Sequence, residues 1–170
     1  MENEEGASNN ERMLAACRND QDDLLKEILK ATDIDVNFSD AIGDTTLHYA
    51  ASFGSLACLE ILVNLDGINL NARNRIEKNT PLHKAVQYTE EDVALATVDL
   101  LLEAGADPRI ENGNRMTPAM LVDPKNDDMK ELFDNALAGY EVDDSDIAED
   151  YADEGDVGAA GEYNSDDYEQ

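Results

Sequence analysis

The heptapeptide Thr45-Thr46-Leu47-His48-Tyr49-Ala50-Ala51 recurs 35 positions later as Thr80-Pro81-Leu82-His83-Lys84-Ala85-Val86, and a degraded copy begins at Thr117-Pro118-Ala119-Met120, a further 37 positions on. Self-similarity at this period constrains the fold more than any local propensity does. A short unit cannot bury its apolar face alone and must stack on its neighbours. Each copy is joined to a related loop: Asp35-Val36-Asn37, Asn69-Leu70-Asn71-Ala72 and Gly105-Ala106-Asp107-Pro108.

Within each copy the residues predict helix, turn, helix. Thr80 is suited to cap a helix start, and Pro81 to its first turn, where the missing N–H would be unpaired anyway. The second helices carry the apolar spacing of one buried face: Leu24, Leu25, Ile28 and Leu29, then Cys58, Leu59 and Leu62, then Met129, Leu132, Phe133, Ala136 and Leu137. Gly54 and Gly105 stand where a helix ends and positive φ is favoured, and Asp20 takes the Gly54-like position in the first copy.

Thr-Pro-Leu-His-x-Ala, a second helix and a Gly-Ala-Asp-like loop resemble the ankyrin-repeat family, here in a small, four-repeat, acidic-tailed form of eukaryotic or fungal type. The resemblance implies an all-α solenoid of about four helix-turn-helix repeats: a cap over Glu11–Ser39, two full repeats over Asp40–Asn74 and Arg75–Glu111, and a degenerate one over Asn112–Ala138. The expected organisation is a flexible N-terminus (1–9), the repeat domain (10–138) and a disordered acidic tail (139–170). Three departures from the pattern stand out. Thr46 replaces the motif proline, and Ala119 and Met120 stand where Leu and His are expected, so that turn should be looser. The third copy is longer around Thr89-Glu90-Glu91-Asp92, which reads as a capping box and a lengthened turn.

The 40 Asp+Glu against 12 Lys+Arg leave a net charge of -28. Such a field repels phosphate, which argues against nucleic acid or an anionic membrane as a direct partner and favours basic proteins. From Glu141 to Gln170 there are 13 acidic residues and no base. So little apolar surface there cannot offset the entropy of ordering it, hence the expected disorder. Two cysteines make no disulfide framework, and the chain shows no secretory or membrane-spanning run, so a cytoplasmic or nuclear monomer is expected.

No nucleophile, phosphate-loop or metal-ligand motif is present; catalytic, cofactor and metal residues are expected to be none, and the chain to be no enzyme. His48 and His83 lie one repeat apart, and the family resemblance makes them turn-forming groups rather than ligands. Six of the bases, Arg73, Arg75, Lys78, Lys84, Arg109 and Arg115, fall on inter-repeat loops or inner-helix starts. The same resemblance places Ile42, Asp44, Tyr49, Phe53, Ile76 and Tyr88 at recognition-prone positions beside Lys78 and Lys84. Of these, Ile42, Tyr49, Phe53, Ile76 and Tyr88 would form an exposed anchor set. The functional expectation is a protein-interaction module. It would be an escort or chaperone-like binder of a basic client of ribosomal-protein or histone type, or alternatively a regulatory adaptor in a signalling or protein-degradation complex.

Overall fold

The computed structural model describes residues 8–151, with side-chain surroundings for residues 8–140. Residues 1–7 of the expected flexible start and residues 152–170 of the expected disordered tail lie outside the described residues. Among the described residues the regular elements are all helical: α1 (Asn9–Arg18), α2 (Asp22–Ile28), α3 (Thr46–Phe53), α4 (Leu56–Leu62), α5 (Pro81–Val86), α6 (Glu91–Ala104), a 3-10 turn (Pro118–Leu121) and α7 (Asp127–Tyr151). Six of them pair as three hairpins, α1 with α2, α3 with α4 and α5 with α6. The inner row runs α1 on α3, α3 on α5 and α5 on the 3-10 turn; the outer row runs α2 on α4 and α4 on α6. Met13, Cys17, Leu25, Leu47, Leu59, Leu62, Leu82, Val98, Leu101 and Phe133 share one continuous core between the rows.

Each inner helix starts at a cap the sequence writes out. Ser8 and Glu11 form a reciprocal capping box. In the full repeats the third member of the box is histidine. The Thr45 amide N–H donates to His48 Nδ1 at 3.1 Å, while Nε2 on the far side of the ring lies 2.8 Å from the Asn79 carbonyl oxygen. His83 repeats the pattern, receiving the Thr80 amide N–H at 3.0 Å and reaching the Met116 carbonyl at 2.7 Å. An amide N–H only donates and a carbonyl only accepts, so Nδ1 is bare and Nε2 carries the proton. Both rings are 0% exposed, and each joins its own helix start to the next repeat's turn.

A second row of bonds runs along the outer loops. Side-chain oxygens of Asn10, Asn37 and Asn71 accept from the backbone amides of Asp35, Asn69 and Asp107, each at 2.8 Å. The amide of Asn37 also donates to the Gly67 carbonyl, so both ends of its side chain work in repeat stacking. A third row ties the finger turns that project between repeats. The Arg75 amide donates to the Ile42 carbonyl and the Gly113 amide to the Glu77 carbonyl, each at 2.8 Å.

Helix ends obey the expected chemistry. Gly54 and Gly105 close α3 and α6 at φ 66° and 111°, and Asp20 takes the equivalent place at φ 55°. Asp20 also accepts the Cys58 amide N–H at 3.0 Å, which gives an acid at this position a reason beyond its tolerance of positive φ. At Gly54 a Cβ would lie 2.6 Å from the Tyr88 ring; the glycine is required twice over.

The segment around Thr89 departs from expectation in its cap. Glu90, not Thr89, precedes α6, and no side chain caps it. The turn itself is longer, as expected: four residues (87–90) separate α5 from α6, against two (54–55) between α3 and α4. The second helix is longer as well, 14 residues against 7 in α4, because Glu91 and Asp92 favour a helix N-terminus and Ala94 adds a buried contact. The fourth inner element is looser, as expected: a 3-10 turn whose Thr117 makes no side-chain cap.

Chain contacts divide the molecule after Phe133. The first unit includes the opening turns of α7, with Met129 and Phe133 buried. The second begins at Asp134, and its backbone is helical to Tyr151. Gly139, where composition places the edge of the repeat domain, does not take the positive φ that would end the helix.

The helix starts can be tested in two ways. Thr46 occupies the place of Pro81 and Pro118; it is fully buried, and its hydroxyl has no partner. Thr46→Pro removes that orphan group and presets φ, so it should raise unfolding stability by about 1 kcal/mol in denaturant titration. For the histidines, burial outweighs the bonds to Asn79 and Met116 and lowers both pKa values below the ordinary 6.5. The unfolded chain therefore takes up protons first. Stability is fully present above about pH 6.5 and is lost as the pH falls through the lowered folded values. Thermal unfolding should show this loss beginning before the one due to Asp40, Glu77 and Asp107, whose values are lowered from the usual carboxylate range. Replacing both histidines with Gln should flatten the upper part of the profile.

Candidate functional site

Two surfaces of the repeat stack present groups the fold does not consume. The first is the open face of the inner helices. Glu11, Ala15 and Arg18 fall at i, i+4 and i+7 on α1 and share that face with Tyr49 and Phe53 of α3. Tyr49 and Phe53 stack with centroids 6.3 Å apart and planes 19° from parallel, and the Arg18 guanidinium lies 5.3 Å above the Phe53 ring. The Tyr49 hydroxyl donates to the Asp40 carboxylate. That bond pushes the phenol up to about 12; at Asp40, burial is outweighed by this bond and by the amides of Asp44, Ile42 and Gly43, so the carboxyl sits below its usual range. The Tyr49 ring is thus pinned by its tip and offers a face. Beside it a recess of about 200 Å³ is lined by Glu11, Leu14, Ala15, Arg18 and Tyr49.

The second surface is the row of finger turns. Gly43, Lys78 and Arg115 each stand two residues before a helix-capping or turn-starting threonine, and all have positive φ: 90°, 60° and 64°. For Lys and Arg this conformation costs roughly 1–2 kcal/mol each. Where the fingers touch, one partner is glycine: Gly43 against Arg75, and Gly113 against Lys78. The segment 73–79 holds Arg73, Arg75 and Lys78 against Glu77. Glu77, itself exposed, is paired with Lys84 at 3.1 Å and accepts from Asn74 and Asn79, and the Lys84 contact is the main reason its carboxyl lies below the usual range.

The residues expected to bind a partner are not equally available. Phe53, Ile42 and Ile76 are exposed at 46%, 44% and 73%, and Lys78 is exposed with them. Tyr49 and Lys84 are half-buried and committed to Asp40 and Glu77. Tyr88 is half-buried over Gly54, not the free aromatic expected of it. Asp44 is buried, accepting from Asn74 at 2.9 Å, so it shapes the finger from within. Arg18 was missed because its place over Phe53 depends on packing between repeats. The strain at Lys78 and Arg115 was readable: Gly43, Lys78 and Arg115 keep a constant offset from Thr45, Thr80 and Thr117.

The remaining reactive groups serve the fold. Cys17 and Cys58 are buried free thiols; the contact with Cys58, then burial, pushes the Cys17 thiol up, away from thiolate reactivity. Among the described residues, no three His, Cys, Asp or Glu side chains gather as a metal ion requires, and no helix is long and apolar enough to cross a membrane.

Comparison with known proteins agrees with this architecture. Residues 13–112 match the family described as ankyrin repeats, in three copies. An ankyrin repeat-containing protein of Saccharomyces cerevisiae is 36% identical over 151 residues, covering 82% of each chain. A probable serine/threonine-protein kinase of Dictyostelium discoideum is 34% identical over 62% of this chain but only 13% of its own length, and a human ankyrin repeat domain-containing protein 36% identical over 49% of this chain and 16% of its own. Only the yeast protein is thus matched over most of its length among these three. Repeats of this kind mark a protein-interaction module and no catalytic family is matched: the chain belongs to the ankyrin-repeat family.

Proposed function

We propose that this chain is a non-enzymatic escort that holds a basic client protein, of ribosomal-protein or histone type, until the client reaches its assembly. The observation that carries this reading is the preassembled aromatic pair Tyr49 and Phe53 on the open inner-helix face, in a molecule with a net charge of -28. A pinned Tyr, a half-exposed Phe and a neighbouring Arg have the composition of a binding hot spot. The surplus of acid supplies long-range attraction for a cationic protein and none for free nucleic acid. The 13 acidic residues of 141–170 add a polyanion that neutralises client charge. Such a client places the escort in the cytoplasm or nucleus.

The test is affinity purification with the full chain, Phe53→Ala and a form lacking residues 141–170, each at low and high salt. The expected outcome is basic ribosomal proteins or histones retained by the full chain. Phe53→Ala should lose at least about tenfold in affinity for the purified client, the scale of a hot-spot truncation, with its melting temperature preserved. The truncated form should lose chiefly the salt-sensitive part of binding. Equal recovery of a signalling or protein-degradation complex with and without residues 141–170 would replace the escort with an adaptor.

A further inference from the structure

We propose that the finger turns 73–79 and 112–116 form a docking ridge for an acidic segment of a partner protein, its Asp or Glu side chains held by Lys78 and Arg115 with Arg75 alongside. This goes beyond the escort reading and is of opposite charge, so either can fail alone.

The first support is backbone strain. Lys78 and Arg115 hold positive φ where the preceding finger has Gly43. Unlike Asn or Asp, they have no short polar side chain to bond their own turn and ease that conformation. The local fold would be served better by glycine, and strain retained at a surface turn points to use of the side chain.

The second support is charge. The chain has more than three acids for each base, and five of the other ten bases are ion-paired: Lys26 with Asp22, Lys30 with Glu27, Lys84 with Glu77, Arg109 with Asp107, Lys130 with Asp127. Among the described residues neither Lys78 nor Arg115 makes an ion pair. The acid next to Lys78 in sequence, Glu77, is turned to Lys84, Asn74 and Asn79. Two strained cations without counterions remain on adjacent turns, and the Gly113-to-Glu77 bond fixes those turns to each other. Exposed Ile76, between Arg75 and Lys78, adds an apolar contact. Charge complementarity names the occupant, and the molecule's negative field narrows it further. Acidic chains are repelled at a distance, so only one that sets carboxylates directly on the ridge gains.

The test uses the full chain, a Lys78→Gly/Arg115→Gly variant and a fluorescein-labelled acidic peptide of Glu-Glu-Val repeats, with a Gln-for-Glu peptide as control. Binding is read by anisotropy and stability by melting temperature. Relief of strain, less the extra freedom glycine gives the unfolded chain, should raise the melting temperature by about 2–6 °C, while affinity for the acidic peptide falls at least about tenfold. A Lys78→Arg/Arg115→Lys variant should retain binding, and the Gln peptide should bind neither protein. Equal affinity of the glycine variant and wild type overturns the proposal, as does a glycine variant that melts lower. Peptide binding that emerges only after the acids of residues 141–170 are changed to amides would overturn the partner assignment and give the ridge to this chain's own acidic segment.

Discussion

An imidazole N–H aimed across a repeat boundary at a backbone carbonyl does two things at once in this fold. His48 and His83 accept the amide of their own helix cap through Nδ1 and donate to the next turn through Nε2. One side chain thus satisfies the start of an inner helix and fixes the next finger along the stack. A methionine or leucine of similar volume would fill the space but leave an amide and a carbonyl unpaired in the core, a loss of about 1–3 kcal/mol for each group. The arrangement tolerates only the neutral ring, so the stack is joined by groups that acid switches off.

The fourth copy lacks the histidine, and its inner element is correspondingly slight. Met120 stands in the histidine's place and is exposed at 60%, Thr117 caps nothing with its side chain, and the inner helix shrinks to a 3-10 turn. The terminal unit has no further turn to hold, so it needs no cross-boundary donor. End repeats of a stack carry only one interface.

Much of this was legible in the residues. The repeated motif marked the hairpins, the positions of Gly54, Gly105 and Asp20 foretold where the chain reverses, and the family resemblance marked His48 and His83 as turn-forming groups. The features that could not be read depend on where repeats meet. Tyr88 looked like a free aromatic until Gly54 appeared beneath it, Asp44 looked like a surface acid until Asn74 reached it, and Arg18 had no visible tie to Phe53, 35 residues away in sequence. The longer turn of the third copy was read correctly, but Thr89 does not cap α6 and the acidic run also extends that helix. Motifs set by one repeat were readable; contacts between two were not.

The scaffold positions its surface groups by bonds running from repeat to repeat, so that recognition would proceed with little rearrangement. The direct measurement is hydrogen exchange in the full chain at neutral pH, read at the amides of Arg75 and Gly113, which point from one finger to the carbonyl of its neighbour. Strong protection is predicted at both, approaching that of buried helical amides such as Leu59 and Leu82. Exchange at the rate of unstructured peptide at these two positions would contradict a stack built in this way.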